Sequence, residues 1–445
     1  MSFNPFSKLL GEKLDPEDLN ALVTQQVAEG YFVEYKRELP SAQKIAKSIA
    51  SFANTYGGWY IVGVVTDKHN VATEITGFNP TTYPDPISVV RDVIKNHIDP
   101  VPVFFCEVVT LPNGNLVLLL HVPGEQETPF VARDGRIYRR TSDCSEPVPE
   151  MSRHALDQLV ERGKASSKRF ADFAKDLRGF SQSEEQDAWL NIFISPYPFG
   201  IVEKREIILE SSAVAEILSR SKEPVCIPFG DSRETTVTGN TPFNAVYAGP
   251  FSAIFRQMAI GRDAFNSLTM EFDVYARAKL HIPLGYLAFN ASTLSDVQSD
   301  AVRKLLFDRI IKPNGGQSSY FRPFDIGAIW LTVACLVNFY LSWIKETTLL
   351  EGFKVAIEVT NAWRRVAFCD VDSWADHVER FGFPILLHDE VRIPDEEGTG
   401  RLFKVGSALW IAICGHVTRA FGLPYEFFEN AIYPVMAKAS QRGGK

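Results

Sequence analysis

The chain is organised around one stretch, from Glu29 to Gly63, that predicts strand, helix, glycine turn and buried strand in succession. The first strand, Tyr31–Tyr35, ends before a Leu-Pro-Ser sequence whose serine is a favourable helix cap. Apolar residues then recur at helical spacing until two adjacent glycines allow a sharp turn. A nearly continuous apolar run, Trp59–Val65, follows, as is typical of a buried strand. The pattern predicts a strand–helix–strand unit at the centre of an α/β domain.

The sequence on both sides of this stretch continues the α/β pattern. We predict helices over Asp15–Glu29, over Pro84–His97 and from Met151 onward, and strands over Val71–Ile75, Pro102–Thr110, Leu116–Val122, Pro129–Val131 and Gly135–Arg140. A Pro-Asn-Gly-Asn turn between the two longest strands predicts a hairpin. Residues 1–160 are therefore predicted to form one domain with a mixed α+β sheet.

Beyond this domain we predict a helical linker over 161–187 and an accessory mixed α/β domain over 188–445 that becomes helical toward its end. The predicted strands are Leu190–Ile194, Glu206–Leu209, Leu280–Phe289 and Lys354–Thr360, and the predicted helices are Ser295–Ile311, Ile326–Ile344 and Val405–Phe421. This half contains no Walker phosphate loop, no HExxH and no GxSxG. Its function stays open.

Composition limits the classes of function. A length of 445 residues favours two domains, and 45% hydrophobic with 22% charged residues is typical of folded globular chains. The net charge of −8 argues against a protein that coats nucleic acid non-specifically, because such binding depends on neutralising phosphates with lysine and arginine. A local basic groove remains compatible with this balance.

Cysteine usage and hydropathy predict a cytoplasmic protein that does not enter a membrane. The six cysteines are widely scattered without a CxxC pair, which is typical of reduced thiols. The N-terminal residues carry acids where a secretion signal needs a basic and then an apolar segment. The segment Ile326–Ile344 approaches the ~20 residues of a membrane span, but polar residues interrupt it, and a buried helix is favoured.

Four phrases in this order carry a family resemblance: VEYKREL, IAKSIASFANTYGGWYIVGV, ITGF and GRIYRRTSD. Together they resemble the Schlafen Alba-like (AlbA_2) domain, over about residues 20–150. The resemblance implies a nucleic-acid-associated α/β module. Family members with two such modules pair them around nucleic acid, so a chain with one module is expected to form a homodimer.

Three carboxylates are candidates for a metal site. Glu29 and Glu34 flank the first predicted strand, and Asp67 follows the buried strand. Carboxylates that converge from strand ends could bind Mg²⁺ or Mn²⁺ and support phosphodiester cleavage. The resemblance places the three-carboxylate site of metal-dependent ribonucleases at these three residues. The alternative is that they are solvated acids of ordinary turns.

Nearby cations are candidates for nucleic-acid contact. Lys36 could hold a phosphate beside Glu34 or pair with an acid at the surface. If Gly135–Arg140 is a strand, Arg136 and Arg140 point to one face and Arg139 to the other. Guanidinium groups suit phosphate recognition, but a charged edge also prevents unwanted strand pairing.

Two functions from different classes follow. The first is a metal-dependent endoribonuclease that acts on RNA, for example tRNA, rather than on DNA. The family resemblance implies a role in bacterial defence or stress response. The second is a non-catalytic DNA- or RNA-binding regulator whose C-terminal half binds a ligand or another protein. An ATP-binding function is weaker, because the chain lacks a phosphate loop with its lysine.

Overall fold

A computed structural model provides the structure of the chain. It describes residues 3–6, 8, 12–124, 126–141, 144–175, 188–202, 215–216, 218–219, 225–229, 233–237, 243, 245–249, 251–257, 268–285, 287–290, 292–313, 322–344, 350–393, 401–404 and 409–442. The chain divides into two compact units. The first comprises 1–171 with two short segments, 196–202 and 347–351, and the second comprises the remainder.

The first unit is built on a mixed sheet with the strand order β1-β2-β7-β6, in which β1 is parallel to β2 and the other neighbours are antiparallel. Its elements, with the helix that follows them, are α1 (Pro16–Thr24), β1 (Val33–Lys36), α2 (Ala42–Asn54), β2 (Gly58–Val62), β3 (Val64–Thr66), β4 (Ala72–Ile75), α3 (Pro86–His97), β5 (Ile98–Asp99), β6 (Phe105–Thr110), β7 (Leu116–Val122), β8 (Val131–Ala132), β9 (Tyr138–Thr141), β10 (Cys144–Pro149) and α4 (Arg153–Lys175). This is the predicted α/β class with a mixed sheet.

The central strand–helix–strand unit forms as predicted. Ser41 precedes α2 in an extended conformation, and α2 connects the parallel strands β1 and β2. Tyr60 and Val62 of β2 pack with α2 and α3 on one face of the sheet. Trp59 and Ile61 pack with α1 on the other face. The sheet is buried on both faces, which explains the continuous apolar run.

The predicted strand Trp59–Val65 is divided into two at Gly63. The N–H of Gly63 donates to the carbonyl oxygen of Lys36 at 2.7 Å, and the backbone of Gly63 then turns with φ +108°. This turn directs β3 away from the sheet, so that it pairs with β4 as a separate hairpin. A glycine inside an apolar run marks such a bend, because it adopts φ values that other residues rarely reach.

The second unit contains a sheet with the strand order β14-β15-β16-β17-β11-β19-β21, with β22 also paired to β19. Its elements are β11 (Trp189–Tyr197), β12 (Val225–Phe229), β13 (Arg233–Val237), β14 (Ala245–Ala248), β15 (Ser252–Arg256), β16 (Thr269–Asp273), β17 (Ala278–Pro283), α5 (Asp300–Leu306), β18 (Arg322–Asp325), α6 (Ile326–Ile344), β19 (Gly352–Thr360), β20 (Arg365–Phe368), α7 (Asp372–Phe381), β21 (Val391–Arg392), β22 (Arg401–Lys404), α8 (Leu409–Ala420) and α9 (Tyr425–Arg442).

Several predictions for this half differ from the structure in extent. The predicted helix Ser295–Ile311 consists of a 3₁₀ turn, α5 and a π-helical turn, and the strand β17 ends at Pro283 rather than at Phe289. Proline cannot donate a ladder hydrogen bond, so it commonly ends a strand. The predicted strand Glu206–Leu209 and the part 176–187 of the predicted linker lie outside the described residues.

Among the described residues, one helix, α6, is long and apolar enough to cross a membrane. It is mostly buried in the second unit, where the Tyr340 hydroxyl donates to the Ala276 carbonyl at 2.6 Å and Trp330 Nε1 donates to Thr418 at 3.0 Å. These contacts are those of a core helix, the type of helix predicted for this segment.

The turn after α2 yields a prediction about packing. A methyl group on Gly57 would lie 2.4 Å from both the Val122 carbonyl oxygen and the Gly124 nitrogen, whereas one on Gly114 would meet nothing within 4 Å. Both glycines have positive φ. We expect Gly114→Ala to lower the free energy of unfolding by about 1–2 kcal/mol, the cost of a left-handed alanine. Gly57→Ala should lower it further, because backbone atoms of β7 must move.

Urea unfolding of the full chain, followed by circular dichroism, measures both losses. Equal losses in the two variants would contradict the close approach of the backbones at Gly57.

Candidate functional site

Strand β1 lies at one edge of the first unit's sheet, and the residues before it satisfy its outward backbone groups. The Gly30 N–H donates to the Val33 carbonyl at 2.9 Å, and the Tyr35 N–H donates to Glu29 Oε1 at 2.7 Å. An open strand edge is a template for unwanted pairing. The Glu29 carboxylate therefore blocks the free edge of β1 at Tyr35.

Glu34, on the same strand, is buried in an ion pair with Arg140 of β9. Its Oε2 lies 2.5 Å from Arg140 Nη1, while Oε1 accepts from the Ser48 hydroxyl at 2.9 Å and lies 2.8 Å from Lys36 Nζ. Glu34 and Arg140 are only 2% and 1% exposed. Both carboxylate oxygens are thus engaged by protein donors.

Arg140 is bound on every side. Its Nε and Nη2 donate to the Gly30 carbonyl at 3.1 and 2.7 Å, its backbone N–H donates to Thr55 Oγ1 at 2.9 Å, and its guanidinium lies 4.6 Å from the centre of the Phe52 ring. The prediction had placed Arg140 on one strand face with Arg136. In the structure Arg136 precedes β9 and is exposed, whereas Arg140 faces the core because its partner, Glu34, lies there.

Asp67 lies in the turn of the β3–β4 hairpin. It is exposed, and its Oδ1 accepts from the backbone N–H groups of His69 at 2.8 Å and Val71 at 3.0 Å. The hydrogen bond from Val71, and then that from His69, lowers the pKa of Asp67. The turn adjoins the start of the edge strand through its backbone, since the Glu29 N–H donates to the Asn70 carbonyl at 2.9 Å.

Burial raises the pKa values of two groups close to Glu34, the Glu29 carboxyl and the Tyr60 hydroxyl. Burial raises the pKa of Glu29, partly offset by the hydrogen bond from Tyr35 and the charge of Lys36. Tyr60 is the register partner of Glu34 on β2 and is fully buried. Burial, followed by the charges of Glu34 and Glu29, raises the pKa of Tyr60, whose hydroxyl has no hydrogen-bond partner among the described residues.

The structure therefore brings two of the three predicted carboxylates together. The Glu29 carboxylate accepts from the backbone N–H of Tyr35, the residue after Glu34, whereas Asp67 lies in the turn that contacts Glu29 through the Asn70 carbonyl. Within the described part of the chain, no group of three or more histidine, cysteine, aspartate and glutamate residues is placed to hold a metal ion. Glu34 is engaged by Arg140, Lys36 and Ser48, and Asp67 is engaged by the backbone of its own turn.

Of the predicted cations, Arg136 lies on a surface formed by α2 and the β8–β9 turn, which also carries Lys47, a residue that the sequence reasoning missed. Lys47 of α2 lies 3.5 Å from Asp134 and above the Tyr138 ring, beside the exposed Arg133 and Arg136. Arg139, half-exposed on β9, pairs with Glu150 at 2.6 Å. We define Lys47, Arg133 and Arg136 as the basic surface, and Arg139 lies on the opposite face of β9 from Tyr138 and Arg140. Lys36 is outside this set, since it pairs with Glu34.

The second unit contains a row of buried polar side chains that the sequence reasoning missed. Register pairing joins Arg256 to Thr269 and Thr269 to His281 on three neighbouring strands. The ring of His281 contacts Asn191 Oδ1 at 2.5 Å, and Asn191 Nδ2 lies 3.5 Å from Glu358 Oε2. All five residues of this row are buried.

The row is held at its histidine and at its far end. The His281 ring stacks on Trp189 with 3.9 Å between centroids, and Arg392 Nε donates to Glu358 at 2.7 Å. Burial, with a smaller contribution from Arg256, lowers the pKa of His281 to about 3, so the imidazole is neutral at neutral pH. We infer that this hydrogen-bond network keeps the central strands of the sheet in register. Polar residues that alternate with apolar ones in three strands were the signal in the sequence.

Comparison with known proteins supports the resemblance of the first unit. Residues 29–149 match the family model described as Schlafen, AlbA_2. This match confirms the predicted family for that stretch and does not extend to the second unit. No curated protein matches the chain.

Two solved structures are similar in part. One is the N-terminal domain of a Nitrosomonas europaea protein described as related to the ATP-dependent DNA helicase RecG, with 22% identity, a TM-score of 0.22, and coverage of 31% of this chain and 92% of that one. The other is a Corynebacterium diphtheriae protein, with 17% identity, a TM-score of 0.21, and coverage of 45% and 37%.

The site generates a prediction that separates its buried and exposed acids. Glu34→Gln leaves Arg140 buried without its counter-charge, so we expect a loss of about 3–5 kcal/mol in the free energy of unfolding. Asp67→Asn is the matched control, since it also exchanges a carboxylate for an amide but lies in an exposed turn. It should cost less than about 1 kcal/mol. Urea unfolding of the full-length variants measures both, and similar losses would contradict the buried ion pair.

Proposed function

We propose, from the Schlafen AlbA_2 match of residues 29–149 as the premise, that the first unit binds nucleic acid through the basic surface. The observation that supports this proposal is that the Lys47–Asp134 contact joins α2 to the turn that presents Arg133 and Arg136. Cations from two elements are thereby held on one surface, where they outnumber the adjacent acids. Such clusters bind the phosphate backbone.

The finer proposal is that the nucleic acid is RNA and that the protein cleaves it with Mg²⁺ or Mn²⁺. The observation that favours chemistry at this site is the cluster of perturbed groups around Glu34. Both Glu29 and Tyr60, whose hydroxyl has no hydrogen-bond partner in the part of the chain that the structure describes, have raised pKa values there. Perturbed titration is typical of functional sites, although structural ion pairs produce it as well. A non-catalytic DNA- or RNA-binding regulator is the alternative.

The remaining parts of the proposal concern the whole chain. Two copies pair as a homodimer around the nucleic acid, in the cytoplasm, and the second unit senses a trigger or selects the substrate. This arrangement fits a role in bacterial defence or stress response. Light scattering at working concentration tests the pairing, and a monodisperse monomer would count against it.

Binding should depend on salt through the basic surface. We expect Arg136→Ala to weaken the binding of a labelled RNA and of a duplex DNA alike, and to reduce the slope of log affinity against log salt concentration by about 1, since one phosphate contact is lost. Fluorescence anisotropy over a salt series measures the slope. Arg309→Ala, at an exposed arginine of the second unit, is the matched control and should leave the slope unchanged. Identical slopes for both variants would reject the basic surface.

Cleavage should depend on the exposed acid. We expect purified protein to cut end-labelled tRNA or single-stranded RNA only with Mn²⁺ or Mg²⁺, and Asp67→Asn to reduce the rate by about 100-fold or more, the usual scale for loss of a catalytic group. Asp67→Asn is preferred to a Glu34 variant because its turn is exposed and the fold does not depend on it. Binding without cutting by the wild type would favour the regulator.

A further inference from the structure

Four aromatic rings lie together at the surface of the first unit, next to the start of β1. Phe3 stacks on Phe32 with 5.4 Å between ring centroids, Tyr31 lies 6.0 Å from Tyr56, and Phe32 lies 6.4 Å from Tyr56. Tyr56 is 60% exposed and Phe3 37% exposed, and the other two are partly exposed. We name Phe3, Tyr31, Phe32 and Tyr56 the aromatic patch.

The loops that carry Tyr31, Phe32 and Tyr56 of the aromatic patch are fixed by Arg140. Its guanidinium binds the carbonyl of Gly30, the residue before Tyr31, and its backbone N–H binds the hydroxyl of Thr55, the residue before Tyr56. Rings on loops that are fixed in this way lose little conformational entropy when they bind a ligand. The patch is therefore preorganised by the buried ion pair.

Positive charge lies close to the patch. The Arg162 guanidinium donates to the carbonyl of Asn54, two residues before Tyr56, at the C-terminal end of α2. Exposed rings next to guanidinium groups are the combination that binds single-stranded nucleic acid, since bases stack on the rings while cations follow the backbone.

We propose that the aromatic patch is a platform on which unpaired bases of a single-stranded nucleic acid stack. The inference rests on the proposed nucleic-acid binding and specifies which form of nucleic acid the unit selects. In a duplex the faces of the bases are covered by their neighbours, so only an unpaired segment can place a base against Tyr56 or Tyr31. The patch thus distinguishes single-stranded from double-stranded nucleic acid, whereas the basic surface attracts both forms.

The test compares two ligands of one sequence, a labelled single-stranded 12-nucleotide RNA and the blunt duplex that contains it, by fluorescence anisotropy with the full chain. We expect Tyr56→Ala to weaken binding of the single strand by about 5- to 150-fold, the range measured for loss of one stacked base. Binding of the duplex should change by less than about twofold. Tyr56→Phe keeps the ring and should bind as the wild type does. Phe381→Ala removes a ring that is 76% exposed in the second unit and should have no effect.

Each other outcome overturns the inference in a recognisable way. Unchanged binding of the single strand by Tyr56→Ala, or an equal loss for single strand and duplex, rejects stacking while leaving the basic surface intact. A dimer that dissociates in Tyr56→Ala with unchanged RNA affinity shows that a second copy covers the patch. If the wild type binds neither ligand, the proposed function itself fails, and the inference fails with it.

Discussion

The ion pair between Glu34 and Arg140 is the interaction on which the first unit depends. It joins the edge strand β1, the helix α2 through Ser48, and the strand β9, so three elements distant in sequence meet at one buried charge pair. Removing two charges from water is costly, and the cost is offset only where the remaining donors and acceptors are satisfied. The Gly30 carbonyl accepts from the Arg140 guanidinium, and Lys36 pairs with the Glu34 carboxylate. The pair therefore determines which backbone carbonyls and which loops lie next to β1.

The distribution of charge is compatible with the proposed nucleic-acid surface on a chain whose net charge is negative. Arg140 is neutralised by Glu34 and contributes little to the outward field. The basic surface is exposed, and the ion pair of its Lys47 with Asp134 is of the weak, solvent-screened kind. A phosphate can replace such a partner at small cost. Affinity for a polyanion depends on these few cations more than on the charge of the whole chain.

The strand–helix–strand centre and the β6–β7 hairpin could be predicted because their signals are local: residue periodicity, a serine before the helix, paired glycines and a Pro-Asn-Gly turn. Alternation in β9 also correctly placed Arg139 and Arg140 on opposite faces. The inward orientation of Arg140 depends on its ion pair with Glu34, which is 106 residues away in the chain. A local sequence pattern contains no information about a partner at that separation. The aromatic patch was missed for the same reason, since Phe3 and Tyr56 meet only after folding.

The three carboxylates show how far a family pattern determines chemistry. Glu29 and Glu34 each have a structural task, at the edge of β1 and in the core, and each task accounts for the residue without catalysis. Loss of function after their replacement would follow equally from a damaged fold. Asp67 differs, because its hydrogen bonds serve only its own turn. Structure and chemistry are therefore separable at that residue, because a replacement in this exposed turn leaves the buried pair of Glu34 and Arg140 intact.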